Sequence, residues 1–202
     1  MAIENIIFDV GGTLLRFDLG NIASDFAENP ADAELLRDAF QVDWRRLDEG
    51  TVEYADFRIA ALKRLPERLH GTAGRMLDEW FLHEPPVPGM AEFLAEMKTR
   101  YRCYILSNAP IFFAEHIGVI PESDGMAGKV VSGYEKLLKP DPAIYRLFLS
   151  RFGLRAEDCF FIDDNPANVE TAERLGFRCC LFDGDPDTAR RELKKAERSV
   201  CR

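Results

Sequence analysis

Four clusters of polar residues interrupt apolar runs in this 202-residue chain: Asp9, Ser107-Asn108, Lys139-Pro140-Asp141-Pro142 and Asp163-Asp164-Asn165. Carboxylates such as Asp9, Asp163 and Asp164 can attack as nucleophiles or hold a metal through oxygen. A hydroxyl such as that of Ser107 donates hydrogen bonds to an anion, and a lysine such as Lys139 neutralises one. Taken singly, each has a plainer reading. An Asp after a strand is often a turn residue, Ser107 or Asp163 can cap a helix, and a lone lysine is usually solvated. The plain readings leave unexplained why two apolar runs end in carboxylates and a third in a hydroxyl, with a lysine nearby in sequence order.

The elements that must position these residues are legible from periodicity. Apolar runs at 3–8, 101–106, 129–132, 159–162 and 179–182 read as buried strands, the first opening into the glycine turn Val10-Gly11-Gly12-Thr13. They alternate with helical patterns at 89–99, 110–117, 142–152, 167–175 and 187–197. Strands alternating with helices predict a parallel sheet covered on both faces, with its ligand site where the carboxyl ends of the strands meet the following loops. Residues 17–85 read differently, with helical spacing at 33–40, 52–65 and 72–82 and no strand-like run. That stretch carries 15 acidic residues against 8 basic. It is expected to be a small all-helical domain inserted into an α/β core made of 1–16 and 86–202. Glu84-Pro85-Pro86-Val87-Pro88-Gly89 is its return linker, because prolines so spaced cannot continue a helix.

The motifs Asp9-Val10-Gly11-Gly12-Thr13-Leu14-Leu15, Leu106-Ser107-Asn108, Lys139-Pro140-Asp141 and Asp163-Asp164 resemble, in order and spacing, those of the haloacid dehalogenase superfamily. The resemblance spans essentially the whole chain. It implies a Rossmann-like core, a mobile helical cap, Mg²⁺, and phosphoryl transfer through a covalent aspartyl-phosphate. The residue chemistry agrees. Asp9 is the nucleophile, and because its charge opposes attack on an anionic phosphate, a metal and a protein cation are needed. Asp9, Asp164 and the Gly11 carbonyl form the expected Mg²⁺ ligand set. Lys139 supplies the cation, and Ser107 with the backbone around Asn108 binds the phosphoryl oxygens. Asp163 supports Lys139 or a metal-bound water, and Gly12 and Thr13 shape the turn, with Thr13 as a helper for Asp9. One position departs from the family. Gly11 stands where a second Asp usually serves as general acid and base, a function worth about 10²–10⁴-fold. Some relatives resembling sugar-phosphate phosphatases also carry Gly there.

The expected activity is therefore Mg²⁺-dependent hydrolysis of a small phosphate monoester, with a sugar phosphate as one candidate. Two alternatives stand beside it: a 2-haloacid dehalogenase-type hydrolase, which has little use for the paired acids, and a catalytically weak phospho-ligand-binding or regulatory protein. In capped members of the superfamily the cap contacts substrate, which makes Phe17, Trp44, Arg45, Arg46, Tyr54 and Trp80 the candidates here, most of them expected to pack between helices.

Composition bounds the partners. A formal charge of −9, with no basic cluster, argues against nucleic acid. Apolar runs of a few residues argue against a membrane helix, and a start without a basic, then apolar, leader predicts a cytoplasmic protein. The expected partner is a small phosphorylated metabolite, and the chain is expected as a monomer or weak homodimer. Cys103, Cys159, Cys179, Cys180 and Cys201 read as free thiols, the first four buried in strand-like runs, and with no CxxC pair and three scattered histidines any metal must be held by oxygen.

Overall fold

A computed structural model describes residues 2–198; Cys201 lies outside them. Five strands, β1 (Asn5–Phe8), β2 (Arg102–Ser107), β3 (Gly128–Val131), β4 (Cys159–Asp163) and β5 (Arg178–Leu181), form one all-parallel sheet in the order β3-β2-β1-β4-β5. The chain builds outward from β1 to β3, then crosses back to place β4 on the other side of β1. The topological switch therefore lies between the carboxyl ends of β1 and β4, where open parallel sheets place their ligands.

Alternation along the strands makes two apolar layers. Ile6, Phe8, Cys103, Ile105, Phe160 and Ile162 belong to one buried cluster, with Phe93 of α5 (Met90–Lys98) and Leu193 of α10 (Pro186–Arg198). Ile7, Tyr104, Leu106 and Phe161 belong to the other, with Phe148 of α8 (Pro142–Phe152) and Ala172 of α9 (Pro166–Arg174). The described cysteines are free, as expected, but Cys179 is only partly buried. No helix among the described residues is long and apolar enough to cross a membrane.

Between β1 and α5 the chain is helical: α1 (Leu19–Phe26), α2 (Pro30–Asp48), α3 (Tyr54–Lys63) and α4 (His70–Glu79). Sequence periodicity misses α1 and sees less than half of α2. The starts are set by side-chain caps. Asp18 accepts the Asn21 N–H at the head of α1, and Asn29, ahead of Pro30, accepts the Asp32 N–H at the head of α2. The two strands of chain that connect insert and sheet run side by side: Arg16 N–H donates to Pro85 O at 2.8 Å and Val87 N–H to Leu14 O at 3.0 Å. Buried residues of the insert, such as Leu36, Phe57 and Met76, are continuous with the apolar layer on the α5 side of the sheet. Much of that continuity is aromatic. Trp80 stacks on Phe113 of α6 (Ile111–Glu115), with ring centroids 5.6 Å apart, and Tyr54 stacks on Phe112 at 4.4 Å.

The far end of α2 reaches the sheet through α7 (Ser132–Glu135), a single turn that the sequence pattern does not reveal. Ser132 Oγ donates to Asp48 O at 2.5 Å, and Gly50, at φ 67°, approaches so closely that a Cβ on it would stand 2.0 Å from the Gly133 carbonyl oxygen. Gly50→Ala combines a left-handed backbone with this clash, and is expected to lower unfolding free energy by about 2 kcal/mol or more. Urea unfolding of the variant measures it, and an unchanged midpoint would mean that this contact does not hold the insert to the sheet.

Candidate active site

Phe8 pairs with Ile162 in the β1–β4 register, so Asp9 and Asp163 stand side by side on adjacent strands. The Asp9 N–H continues the ladder, donating to Ile162 O at 2.9 Å. On the other side of β1, Ser107 ends β2. The helix-cap reading of these residues fails: α9 is capped by Asn165, α8 by Asp141, and α6 begins after Pro110, which leaves Asp163 and Ser107 uncommitted to any helix start.

Lys139 joins the two strands. Its Nζ donates to Asp9 Oδ1 at 2.6 Å and to Asp163 Oδ2 at 2.7 Å, and all three residues are buried, Asp163 completely. Asp163 also accepts from the Asn165 N–H at 2.8 Å and from Asn168 Nδ2 at 3.0 Å. The Asn108 side chain holds the Lys139 backbone from both sides, its Oδ1 accepting the Lys139 N–H at 2.8 Å and its Nδ2 donating to Lys139 O at 2.9 Å. Asn168 was missed at the sequence level. Its signal is the spacing Asp163-x-Asn165-x-x-Asn168, which returns an amide to the strand end from the first turn of α9.

Burial pushes the Asp9 carboxyl up to about 7 even against the pull of Lys139, with Asp163 adding to the rise. For Lys139 burial opposes the charge, but Asp9 and Asp163 outweigh it and hold the ammonium above its ordinary range. Asp164 is raised by burial and by Asp163.

Carboxylate oxygens of Asp9, Asp163 and Asp164 all lie within 4.8 Å of one another. Asp163 is spent on Lys139, Asn165 and Asn168, whereas Asp9 and the exposed Asp164 line a cleft together with Gly11, Gly12, Asn108 and Lys139. A set of hard oxygen donors with one side open fits a hexacoordinate Mg²⁺ that keeps water or substrate ligands. Gly12, at φ 79°, packs so tightly that a Cβ would meet Asp164 Oδ2 at 2.1 Å. Gly11 has no such constraint: its φ is outside the left-handed region, and an added Cβ would meet only Phe17 Cβ, at 3.5 Å. The two glycines therefore differ in kind, one required by the backbone and the other tolerant of a side chain. Thr13 is fully buried, and its Oγ1 has no hydrogen-bond partner among the described residues, so no bond from it to Asp9 is formed. Ser107 Oγ is likewise buried and unpartnered, while its neighbour Ala109 gives its N–H to Ser132 Oγ at 2.9 Å.

Gly11, Phe17 and Asn108 are shared with a second cavity that continues from the cleft toward the helical insert. Of the six aromatic and basic residues singled out in the insert, Phe17, Trp44 and Trp80 line it. Arg45 and Arg46 are exposed on α2, and the Tyr54 hydroxyl donates to the Leu77 carbonyl away from it. Two acids that the sequence did not single out, Asp48 and Glu84, complete the lining. Asp48 reads in sequence as a helix-end charge and Glu84 as the first residue of a linker, so neither stands out.

Residues 3–176 match the haloacid dehalogenase-like hydrolase family. A D-ribitol-5-phosphate phosphatase of Bacteroides thetaiotaomicron is 25% identical over 195 residues, covering 87% of this chain and 89% of that one. Haloacetate dehalogenase H-2 of a Moraxella species is 26% identical over 195 residues, covering 88% and 84%. The crystal structure of a family enzyme from Bacteroides thetaiotaomicron, in complex with magnesium and inorganic phosphate, superposes with a TM-score of 0.68 at 21% identity, over 88% of this chain and 93% of that one. With its parallel sheet, the polar groups at the ends of β1, β2 and β4, Lys139 on the loop after α7, and a family match over residues 3–176, this chain belongs to the haloacid dehalogenase-like hydrolases.

Proposed function

We propose that the protein is a Mg²⁺-dependent phosphatase acting on a small phosphorylated metabolite, with Asp9 as nucleophile. The observation that carries this reading is the third carboxylate: Asp164 stands within 4.8 Å of Asp9 and Asp163, in a cleft that also holds the Lys139 ammonium. A halide on carbon can be displaced by one aspartate without a metal, and such a reaction has no use for Asp164. The likeness to the D-ribitol-5-phosphate phosphatase over most of both chains supports the same reading. The haloacetate dehalogenase relative keeps displacement at carbon as the second reading, favoured by the absence of an acid–base side chain at Gly11.

Asp9, Asp164 and the Gly11 carbonyl would hold the Mg²⁺, which supplies charge neutralisation for the phosphoryl oxygens. The chain's own residues do the remainder. Lys139 fixes Asp9 Oδ1 and leaves the second carboxylate oxygen to attack phosphorus, breaking the P–O bond to the substrate alcohol, which departs with a proton from water, and forming an aspartyl-phosphate that a second water hydrolyses to free Asp9 and inorganic phosphate. Ser107, buried and without a partner, has its hydroxyl ready to donate to a phosphoryl oxygen, an arrangement that costs no reorganisation during reaction. Asp163 orients Lys139 and does not contact substrate. Asn108 sets the height of Lys139 through the backbone.

Asp9→Asn is expected to cut Mg²⁺-dependent phosphate release by at least about 10³-fold, with the circular dichroism spectrum unchanged, and chelation of the metal is expected to silence the parent enzyme. Halide release from haloacetate by the parent, with no phosphate release from any phosphomonoester, would overturn the phosphatase reading in favour of the second.

Gly11 gives a further prediction. With no acid at that position, substrates whose leaving group needs no proton, such as aryl phosphates, are expected to turn over faster than alkyl phosphates of similar size. Because a side chain fits at Gly11, Gly11→Asp is expected to raise turnover of alkyl phosphates more than that of aryl phosphates, by about tenfold or more. Steady-state rates against leaving-group pKa measure both. Equal changes for the two classes would show that another group already moves the proton.

A further inference from the structure

We propose that the cavity between the helical insert and the sheet recognises a positively charged amino group, so that the substrate is a small phosphomonoester carrying an ammonium. The substrate half of this statement rests on the phosphatase reading above; the amine site itself does not. The cavity, about 130 Å³, is far smaller than the several hundred Å³ typical of pockets for drug-sized ligands, so it suits the tail of a small metabolite. It adjoins the Asp9 cleft through Gly11, Phe17 and Asn108, which places its occupant a few atoms from the phosphate.

Its chemistry is one-sided. Asp48 and Glu84 both line it, and no lysine, arginine or histidine does. Glu84 is 7% exposed and makes neither a hydrogen bond nor an ion pair among the described residues; Asp48 Oδ1 is buried and also unpartnered. Ser107 Oγ, which also lines the cavity, is 1% exposed and unpartnered as well. Buried polar groups in folded proteins are almost always satisfied, and carboxylates without a cation are the costliest exceptions. Two of the less exposed acids of the insert show the contrast: Asp32 accepts two bonds from Arg68, at 2.8 and 2.6 Å, and Asp43 one from Arg64, at 2.9 Å. Four of the remaining lining residues are aromatic: Phe17, Trp44, Trp80 and Phe113. Trp44 and Trp80 meet edge to face with centroids 5.1 Å apart, and Phe17 and Phe113 lie on either side of Trp80, at 6.2 and 5.6 Å. Aromatic faces beside unpaired carboxylates are the surroundings that bind ammonium groups by combined cation–π and ionic attraction. A neutral polyol would hydrogen-bond to the acids in their protonated form, whereas an ammonium would pair with their ionised form, and only the second binds through charge. Burial pushes Asp48 up to about 8, and burial with Asp48 nearby pushes Glu84 up to about 8, as expected of acids that lack a cation.

Asp48 ends α2, and Glu84 stands just before Pro85 in the linker that returns to the sheet. Asp48 O accepts from Ser132 Oγ, and Pro85 O accepts from the Arg16 N–H.

Both tryptophans of the chain line this cavity, so intrinsic fluorescence reads its occupancy without any turnover. Metal-free protein is titrated with ethanolamine, with choline and, as the neutral control, with ribitol. A saturable change is expected with the amines and none with ribitol, and Asp48→Asn with Glu84→Gln is expected to weaken amine binding about tenfold or more. These substitutions are close in shape to the originals, and each single variant is measured as well, so that a folding failure of the pair does not block the test. In turnover, phosphoethanolamine or phosphocholine is expected to exceed glycerol phosphate in kcat/KM, with the preference collapsing in the variants. Ribitol binding as well as the amines, or amine binding unchanged in both single variants, would overturn the proposal. Amine binding without hydrolysis of any phosphomonoester would uphold the site and overturn the phosphatase reading instead.

Discussion

The site is organised around one buried ammonium. Lys139 sits between Asp9 and Asp163 with its side chain almost wholly removed from water, which is tolerable only because both carboxylates accept from it at close range. Desolvating three charges costs several kcal/mol each, and the pairing returns that cost only when geometry is good and the leftover lone pairs are met. Asn165 and Asn168 meet those of Asp163, and Asn108 pins the lysine backbone from the neighbouring strand end. Four chain segments that are distant in sequence are therefore locked to one point. The net result at that point is a carboxylate, Asp9, whose position is fixed by a cation and whose own burial keeps its proton affinity high.

The cleft beyond is polarised along its length. At the sheet end, Lys139 lies among carboxylates that also suit a divalent cation, the electrostatic surroundings an anion requires. At the insert end, no cation lines the wall, and two unpaired acids face aromatic rings. A molecule with its anion at one end and its cation at the other complements both halves at once, whereas reversed or doubly anionic molecules would meet repulsion at the insert end. Two of the insert's 15 acids, Asp48 and Glu84, line that end.

Much of this was legible in the residues. Periodicity located all five strands to within two residues at either end, because parallel strands buried on both faces are apolar throughout and end abruptly at polar groups. Asp9, Ser107, Asp163 and Asp164 stand out by the same contrast, whereas Lys139 comes from the loop after α7. What escaped were features whose signal is not periodic. Helix α1 is eight residues long and begins with Leu19-Gly20-Asn21, a poor helical start rescued by the Asp18 cap. Asn168, Asp48 and Glu84 look like ordinary helix and linker residues, since nothing in a linear pattern tells that a side chain will be carried into a cavity without a partner. Thr13, chosen as a helper of Asp9, instead lies buried with its hydroxyl unpaired, so adjacency in sequence did not become a hydrogen bond.

The two glycines after Asp9 show how chemistry and backbone constraint can occupy neighbouring positions without being the same thing. Gly12 is dictated by its left-handed φ and by the Asp164 carboxylate against it, so any side chain there would displace a metal-ligand candidate. Gly11 is dictated by neither. The space beside it ends at Phe17, a residue that belongs to both the cleft and the aromatic cavity. A carboxylate at Gly11 would stand at the junction of the two, adding negative charge next to Asp9 and within the same cavity as Asp48 and Glu84. An apolar gap there keeps the acids of the insert end separated from the nucleophile. On electrostatic grounds those neighbouring acids would raise the pKa of a carboxyl placed at Gly11 and keep its proton on, the form in which it would protonate a leaving group.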